Sequence, residues 1–299
     1  MKKLIKKFYS HFRKHRESDL LNHVTKRTKD VVTQELLKQK FLCNSEKLLN
    51  NDSRKQKLVV SLTTFGGRIK SAYLPIESIG QQSFKPDEIV LWLDQTKFSN
   101  ENLPLSLKRL MRRGLKVKYC QDLGPHTKLI HALKDYPDDL IVTIDDDHIY
   151  PMDMLENLIM THKKHPRTIC CNVARRITKN DNDDYSPYTK WDKLHSKEYC
   201  SNELLPLGVN GVLYFPGCFD SEVFNFKNIK ILAPKADDIW FKAMHHKNNV
   251  SCIITGAYPV IRSQFTQLES ERIDPLAQYN MSKNVKQLKD VFDYYGLTI

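Results

Sequence analysis

The chain has 299 residues, 40% of them apolar, with 13 Phe and 13 Tyr, which suffices for one large domain with a real core plus an appendage. No apolar run approaches the roughly 20 residues of a membrane span, and no apolar stretch with a small-residue cleavage site follows the basic N-terminus, so neither a spanning helix nor a secretory signal is expected. The net charge of +12 is unevenly placed: residues 1–57 hold 16 Lys and Arg against 6 Asp and Glu, which leaves 31 against 29 for residues 58–299 and speaks against a nucleic-acid-binding protein.

Seven cysteines without paired spacing point to reduced thiols in a cytosol, and adjacent Cys170-Cys171 do not make a metal pattern. Within Met1–Arg16, Leu4, Ile5, Phe8, Tyr9 and Phe12 recur as one helical stripe among lysines and arginines. Such a helix suits the surface of an anionic bilayer, or it docks on the main domain with its basic face in water. Val31–Leu49 reads as a second helix, broken by Asn50-Asn51-Asp52-Ser53. The extension therefore covers residues 1–57 and the main domain 58–299.

From Lys57 the pattern changes. Leu58–Thr63, Glu88–Leu93, Lys116–Tyr119 and Leu140–Ile144 read as strands, and Tyr73–Gln82, Leu105–Arg113 and Thr127–Lys134 as the helices between them. Strands recurring every 24 to 30 residues between helices predict successive right-handed βαβ units, an α/β fold with a mostly parallel sheet. Val285–Tyr295 reads as a closing amphipathic helix.

The fourth strand runs straight into Asp145-Asp146-Asp147. Three carboxylates at the end of a buried strand are costly unless a positive charge sits among them, and Mg²⁺ or Mn²⁺ is the simplest candidate. A solvated acidic turn is the alternative. Ligands of such sheets sit outside the carboxyl ends of the strands. Thr63 and Thr64 end strand one, Asp94 ends strand two, and the triplet ends strand four, so all face one crevice. In a triplet that ends a strand alternate side chains share a face, so Asp145 and Asp147 are expected to point the same way and Asp146 away. Lys128 and His126 lie near a helix start after Gly124-Pro125 and are candidate ligand contacts, Lys128 as an anion site and His126 more weakly. Asp237 and Asp238 open a helix over Asp238–His246; two acids there allow one to cap and one to act as a base. His245 and His246 lie too far along that helix to share the site. Tyr185, Tyr188 and Trp191, in a polar stretch, serve either as platforms for sugar rings or as loop anchors.

Taken together the sequence resembles GT-A glycosyltransferases, closest to bacterial family 2. The resemblance covers roughly 58–265 and rests on Val59–Phe65, Gln82-Ser83-Phe84-Lys85-Pro86-Asp87-Glu88-Ile89, Asp94, the D-x-D of Asp145–Asp147, Gly208–Tyr214 and Ala236-Asp237-Asp238. It implies a metal-dependent inverting transferase of the hexosyl type. The transferase would move one sugar from a nucleotide-diphosphate sugar to a lipid-linked or surface-polysaccharide acceptor, such as lipopolysaccharide or capsule. It implies a nucleobase contact for Asp94, a donor role for Thr63, Thr64 and Lys128, and metal ligation by Asp147 with Asp145 on the ribose or the metal. It also implies a structural place for Asp146 and the base role for Asp238, with Asp237 in reserve. Arg262 is a candidate diphosphate contact. The protein is expected in a bacterial cytoplasm, peripheral on the inner membrane face, with no nucleic acid bound. Asp94 is followed by Gln95 where the family has a second acid, and no Q-x-x-R-W motif is present, which argues against a processive synthase. A sugar-phosphate nucleotidyltransferase, for which Phe65-Gly66-Gly67-Arg68 is a thin signature, and a non-catalytic membrane or nucleic-acid module are the competing readings.

Overall fold

The computed structural model describes residues 2–52, 54–260, 264–268 and 275–299, with side chains described for 21, 22 and 24 onward except 275–278. The chain opens on one helix, α1 (Lys2–Cys43), in place of the two expected segments. Residues 1–43 contain neither Gly nor Pro, so nothing interrupts the backbone hydrogen bonds. The stripe from Leu4 to Phe12 falls outside the described side chains. The helix stops at Asn44 rather than at Asn50: the Asn44 Oδ1 accepts the Glu46 N–H at 2.9 Å and turns the chain.

Next come β1 (Leu58–Thr63), α2 (Tyr73–Gly80), β2 (Glu88–Asp94), α3 (Leu105–Arg112), β3 (Leu115–Cys120), α4 (Thr127–Asp135) and β4 (Leu140–Thr143). The second half is more broken. It holds β5 (His148–Ile149), α5 (Met154–Lys164), β6 (Ile169–Cys171), β7 (Ala174–Arg176), β8 (Asp192–Leu194), β9 (Tyr199–Ser201), β10 (Leu204–Pro206) and β11 (Val212–Tyr214). Last are α6 (Phe226–Leu232), α7 (Asp237–Lys247), β12 (Cys252–Ile254), β13 (Thr266–Gln267) and α8 (Pro275–Tyr295).

The main sheet has the order β3-β2-β1-β4-β11-β6-β12-β9. Its first four strands are parallel, as expected, and β11 lies antiparallel between β4 and β6. Leu58, Val59, Val60 and Leu62 of β1 are all buried, as are Ile89–Leu93 of β2. Helices cover both faces, which is why these strands read as continuous apolar runs rather than alternating ones. β10-β7-β8 and β13-β5 form two small antiparallel ribbons.

The sheet begins at Leu58, but the core begins earlier. Leu37, Phe41 and Leu48 are buried, and the Phe41 ring lies 4.6 Å from that of Tyr73 in α2. At Gly80, which ends α2, a Cβ would stand 2.3 Å from Leu48 Cδ2, so a side chain there would force buried Leu48 to move.

The edge of the sheet away from the acids is tied by Glu88. Its carboxylate meets Lys57 Nζ at 2.9 Å, Lys116 Nζ at 2.7 Å and the Tyr136 hydroxyl at 2.7 Å. Burial would raise this carboxyl, but Lys116, Lys57 and Tyr136 outweigh it and bring the pKa down to about 2. A folded pKa below the unfolded one stabilises the fold above the ordinary carboxylate range, and that contribution is lost as pH falls from about 5 toward 2. Both lysine ends are half exposed, so about 1–2 kcal/mol is expected rather than the full shift. Urea midpoints followed across this pH range should fall less steeply in Glu88→Gln than in the wild type; parallel curves would show that Glu88 carries none of the acid sensitivity.

Candidate active site

Because β2, β1 and β4 are parallel neighbours, Asp94, Thr63-Thr64 and the Asp triplet do arrive at one edge of the sheet. Two charge clusters form there. The first joins elements distant in sequence. Lys128, in the first turn of α4, is buried, and its Nζ lies 2.5 Å from Asp145 Oδ1 and 3.1 Å from Asp237 Oδ2. The Ser61 hydroxyl of β1 donates to the Lys128 carbonyl and accepts from Trp92 Nε1 at 2.9 Å, which fixes the start of α4 against β1 and β2. Asp238 Oδ1 accepts the Gly208 N–H at 3.1 Å. A Cβ on Gly208 would stand 3.1 Å from Asp238 Oδ1 and 3.2 Å from Lys128 Nζ, so the approach of both groups depends on the glycine.

Charge balance within this cluster separates the two acids of α7. Burial disfavours the Lys128 ammonium, but Asp145, Asp237 and Asp238 outweigh it and hold its pKa well above the lysine value. Burial likewise opposes ionisation of Asp237, but Lys128 beside it brings the pKa below the ordinary value. Asp238 is pushed well above its ordinary value by desolvation and by the charge of Asp237. Asp237 is buried, whereas Asp238 is half-buried at the mouth of the cluster.

The second cluster corrects the expected alternation. β4 ends at Thr143, so Asp145–Asp147 lie in a turn where side chains no longer alternate. Asp146 and Asp147 are the pair that share a partner: Arg68 Nη2 lies 2.8 Å from each. His148 Nδ1 stands 2.6 Å from Asp147 Oδ1. Burial raises the Asp146 carboxyl to about 7 against the pull of Arg68. For Asp147, His148 and Arg68 outweigh burial, and its pKa falls below the usual value. Asp145 and Asp147 therefore face different cations of the protein, Lys128 and Arg68.

Residues 75–219 match the model for Glycosyl transferase family 2. That segment is similar to a family 2 glycosyltransferase domain, and the fold that holds it is of the GT-A type. Solved structures similar to it include the mannosyltransferase PcManGT from Pyrobaculum calidifontis in complex with GDP-Man and Mn²⁺, at 15% identity and a TM-score of 0.32. That match covers 53% of this chain and only 46% of the mannosyltransferase chain. Residues 1–349 of S. aureus TarS are similar at 13% identity and a TM-score of 0.47, over 80% of this chain and 72% of that one. The same TarS segment in complex with UDP gives 14% identity and a TM-score of 0.42, over 64% and 56%. No curated protein matches the sequence.

The remaining expected residues of the glycosyltransferase domain divide between the crevice and the scaffold. The Thr63 Oγ1 donates to the Trp92 carbonyl at 3.0 Å, tying β1 to β2, and Thr64 beside it is buried. Asp94 closes its own turn: its Oδ1 accepts from the Thr96 N–H at 2.9 Å and the Thr96 hydroxyl at 2.7 Å, and Lys97 Nζ lies 2.9 Å from Oδ2. Lys97 and Thr96 hold its pKa at about 2. His126 is a core residue, fully buried, 5.9 Å from the Phe241 ring and brought down to about 4 by burial, so it offers no charge to a ligand. Trp191 resolves to the anchor reading: it is 1% exposed and its Nε1 donates to the Ser186 carbonyl at 2.9 Å. Tyr188 packs on it at 5.2 Å with the Arg175 guanidinium 4.5 Å above the Tyr188 ring, and Tyr185 stands edge-on to Phe292. His245 is buried and bonds the Val250 carbonyl, a packing role. Arg262 lies outside the described residues.

Three contributors were not singled out from the sequence as site residues. Arg68 reaches Asp146 and Asp147 from the turn Gly66–Lys70, and His148 follows the triplet directly. The Tyr150 hydroxyl accepts the Asp145 N–H at 2.8 Å and donates to the Val209 carbonyl at 3.1 Å, linking the triplet to the Gly208 segment.

Among the described residues no three His, Cys, Asp or Glu side chains converge into a group that could hold a metal. The donor set near the triplet consists of hard carboxylate oxygens, which suits Mg²⁺ or Mn²⁺ only if a diphosphate and water complete the shell. Asp147 is buried beneath Arg68, so an ion bound there would replace the guanidinium on that carboxylate.

Proposed function

We propose that this glycosyltransferase moves one sugar from a nucleotide-diphosphate sugar, with inversion, to an acceptor hydroxyl. The observation that supports it most is the meeting of Asp238, Gly208 and Lys128 with Asp145, the first acid of the triplet. Asp238 is the base. The acceptor oxygen bonds to the anomeric carbon as the bond from that carbon to the diphosphate oxygen breaks, the diphosphate leaves with the electron pair, and the acceptor proton passes to the Asp238 carboxylate. A carboxylate whose pKa is raised suits that proton transfer, and Asp237, locked to Lys128, suits orientation instead. Asp145, half-exposed and held by Lys128 and Tyr150, is placed for the ribose. Asp147, with Asp146 behind it, would hold Mn²⁺ or Mg²⁺. When bound, the ion offsets the charge that gathers on the departing diphosphate. Asp94, Thr63 and Thr64 would line the nucleoside end. The acceptor is lipid-linked or a surface polysaccharide, and the setting is the cytoplasmic face of a bacterial membrane, without nucleic acid.

The test is the unfolding temperature against a panel of nucleoside diphosphates and nucleotide sugars, with and without Mn²⁺. Native-state binding raises the midpoint by mass action. One nucleotide should raise it only with the metal, and Asp147→Asn should abolish that rise. No shift with any nucleotide would sink the reading. The anomeric configuration of the product decides inversion.

A further inference from the structure

We propose that the outer face of α1, from Leu21 to Leu42, is a docking surface for an anionic lipid bilayer. Leu21, Val24, Val31, Val32, Leu36 and Leu42 are 46% to 66% exposed. At about 100° per residue they fall within one stripe along about 30 Å of helix. The opposite face of the same helix is used: Asp30, Leu37 and Phe41 are buried there. The stripe is therefore not the inward side of an ordinary amphipathic helix. It is a second face, largely apolar and interrupted by Thr28, Glu35 and Gln39, and it is turned to water.

Charge selects the occupant. Arg27 and Lys38 flank the stripe on one side and Lys29 and Lys40 on the other, by the same helical geometry. Among residues 21–43 the acids are Asp30, which faces inward, and Glu35, which lies within the stripe by the same geometry and whose carboxylate is offset by Lys38 Nζ at 3.4 Å and accepts from Gln39 Nε2 at 3.1 Å. A second copy of the helix would set basic flanks against basic flanks. A bilayer with anionic headgroups accepts both the apolar stripe and its cationic margins. No helix among the described residues is long and apolar enough to cross a membrane, so the contact lies along the surface.

The position of α1 gives the contact a consequence. Leu37 packs with Leu74, Ile149 and Leu268, on the ribbon whose first strand starts at His148, next to Asp147. A bilayer on the outer face thus lies about one helix diameter, about 10–12 Å, from the ribbon that borders the acids. The docking surface stands independently of which donor or acceptor the site takes.

The experiment is sedimentation of the full chain with vesicles of phosphatidylcholine alone and of phosphatidylcholine mixed with phosphatidylglycerol, for the wild type and Val32→Glu/Leu36→Glu. Both positions face water, and an unchanged unfolding temperature checks that the double variant is folded. The wild type should sediment with the anionic vesicles and not with the neutral ones, and the variant should lose at least about tenfold in binding. Equal binding of variant and wild type, or no preference for anionic lipid, overturns the proposal. So does light scattering that shows a wild-type dimer and a monomeric variant without vesicle binding, which would give the face to a second copy. Nucleotide-induced midpoint shifts, measured in parallel, separate failure of this surface from failure of the transferase reading.

Discussion

Asp238→Asn should lower turnover by about 10²–10⁴-fold while donor affinity, measured by calorimetry, is retained. The substitution keeps size and the acceptor oxygen for the Gly208 N–H but removes the ability to take a proton. It should not unfold the protein. An acid whose folded pKa lies above its unfolded value opposes folding once ionised, so at neutral pH the amide should leave the unfolding midpoint unchanged or raise it. Loss of activity with gain of stability distinguishes a base from a structural acid. The pH profile follows with the same sign: the wild-type rate should fall on acidification, with its acid limb above the ordinary carboxylate range, because the base must be deprotonated. Asp237→Asn is the contrasting case. It removes one of the two carboxylates closest to buried Lys128 and should destabilise the fold. If Asp237→Asn abolished turnover without loss of stability and Asp238→Asn did not, the roles would be reversed.

How much of this was legible depends on how each feature is encoded. β1, β2 and β4 could be placed because burial on both faces writes long apolar runs into the sequence, such as Leu58–Leu62, and β3 because Lys116 and Lys118 alternate with Leu115, Val117 and Tyr119. The short strands beyond β4 span two or three residues and carry no period to read. Asp145, Lys128, Asp237 and Asp238 were each visible as candidates, through charge at a strand end or a helix start. Their pairing was not, since it depends on how α4, α7 and the Gly208 turn fold over the end of β4. Arg68 had a weak signal, a cation after two glycines, but nothing local connects it to Asp146 and Asp147. The alternation expected of the triplet failed because the strand stops two residues earlier. Trp191 looked like a loop aromatic because its partners are Ser186 and Tyr188 of its own loop and Arg175 of β7, a tertiary fact within a polar stretch. The continuous α1 followed from an absence, of Gly and Pro, that is easily passed over when apolar stripes are being sought.

Glu77→Gln should cost about 3–5 kcal/mol, read from urea unfolding, because it strips the charge partner from a buried arginine. Glu77 is fully buried in α2, and Arg113, just past α3, is 6% exposed. The guanidinium meets both Glu77 oxygens, Nη2 to Oε1 at 3.1 Å, and its Nε donates to the Glu46 carbonyl at 2.7 Å. The Arg113 carbonyl accepts the Leu48 N–H at 3.0 Å, and Arg109 Nη2 donates to the Leu42 and Asn44 carbonyls at 2.8 and 3.2 Å. The pair is thus the joint at which the exit of α1 is fastened to α2 and α3. Removing one member leaves a desolvated charge without its opposite charge. Removing both, in Glu77→Met/Arg113→Met, should cost less than either single change, since the expense lies in the orphaned charge more than in the lost attraction. Proteolysis gives a second readout. With the joint weakened, residues 44–57 should be cut faster in Glu77→Gln than in the wild type, whereas the double variant should fall between the two. A cost below about 1 kcal/mol for Glu77→Gln would mean that water reaches the arginine and that the joint is not dry. In that case α1 would be held to the domain by the apolar contacts of Leu37 and Phe41, with the Arg109 bonds to the Leu42 and Asn44 carbonyls as the directional contacts that set the orientation of its outer face.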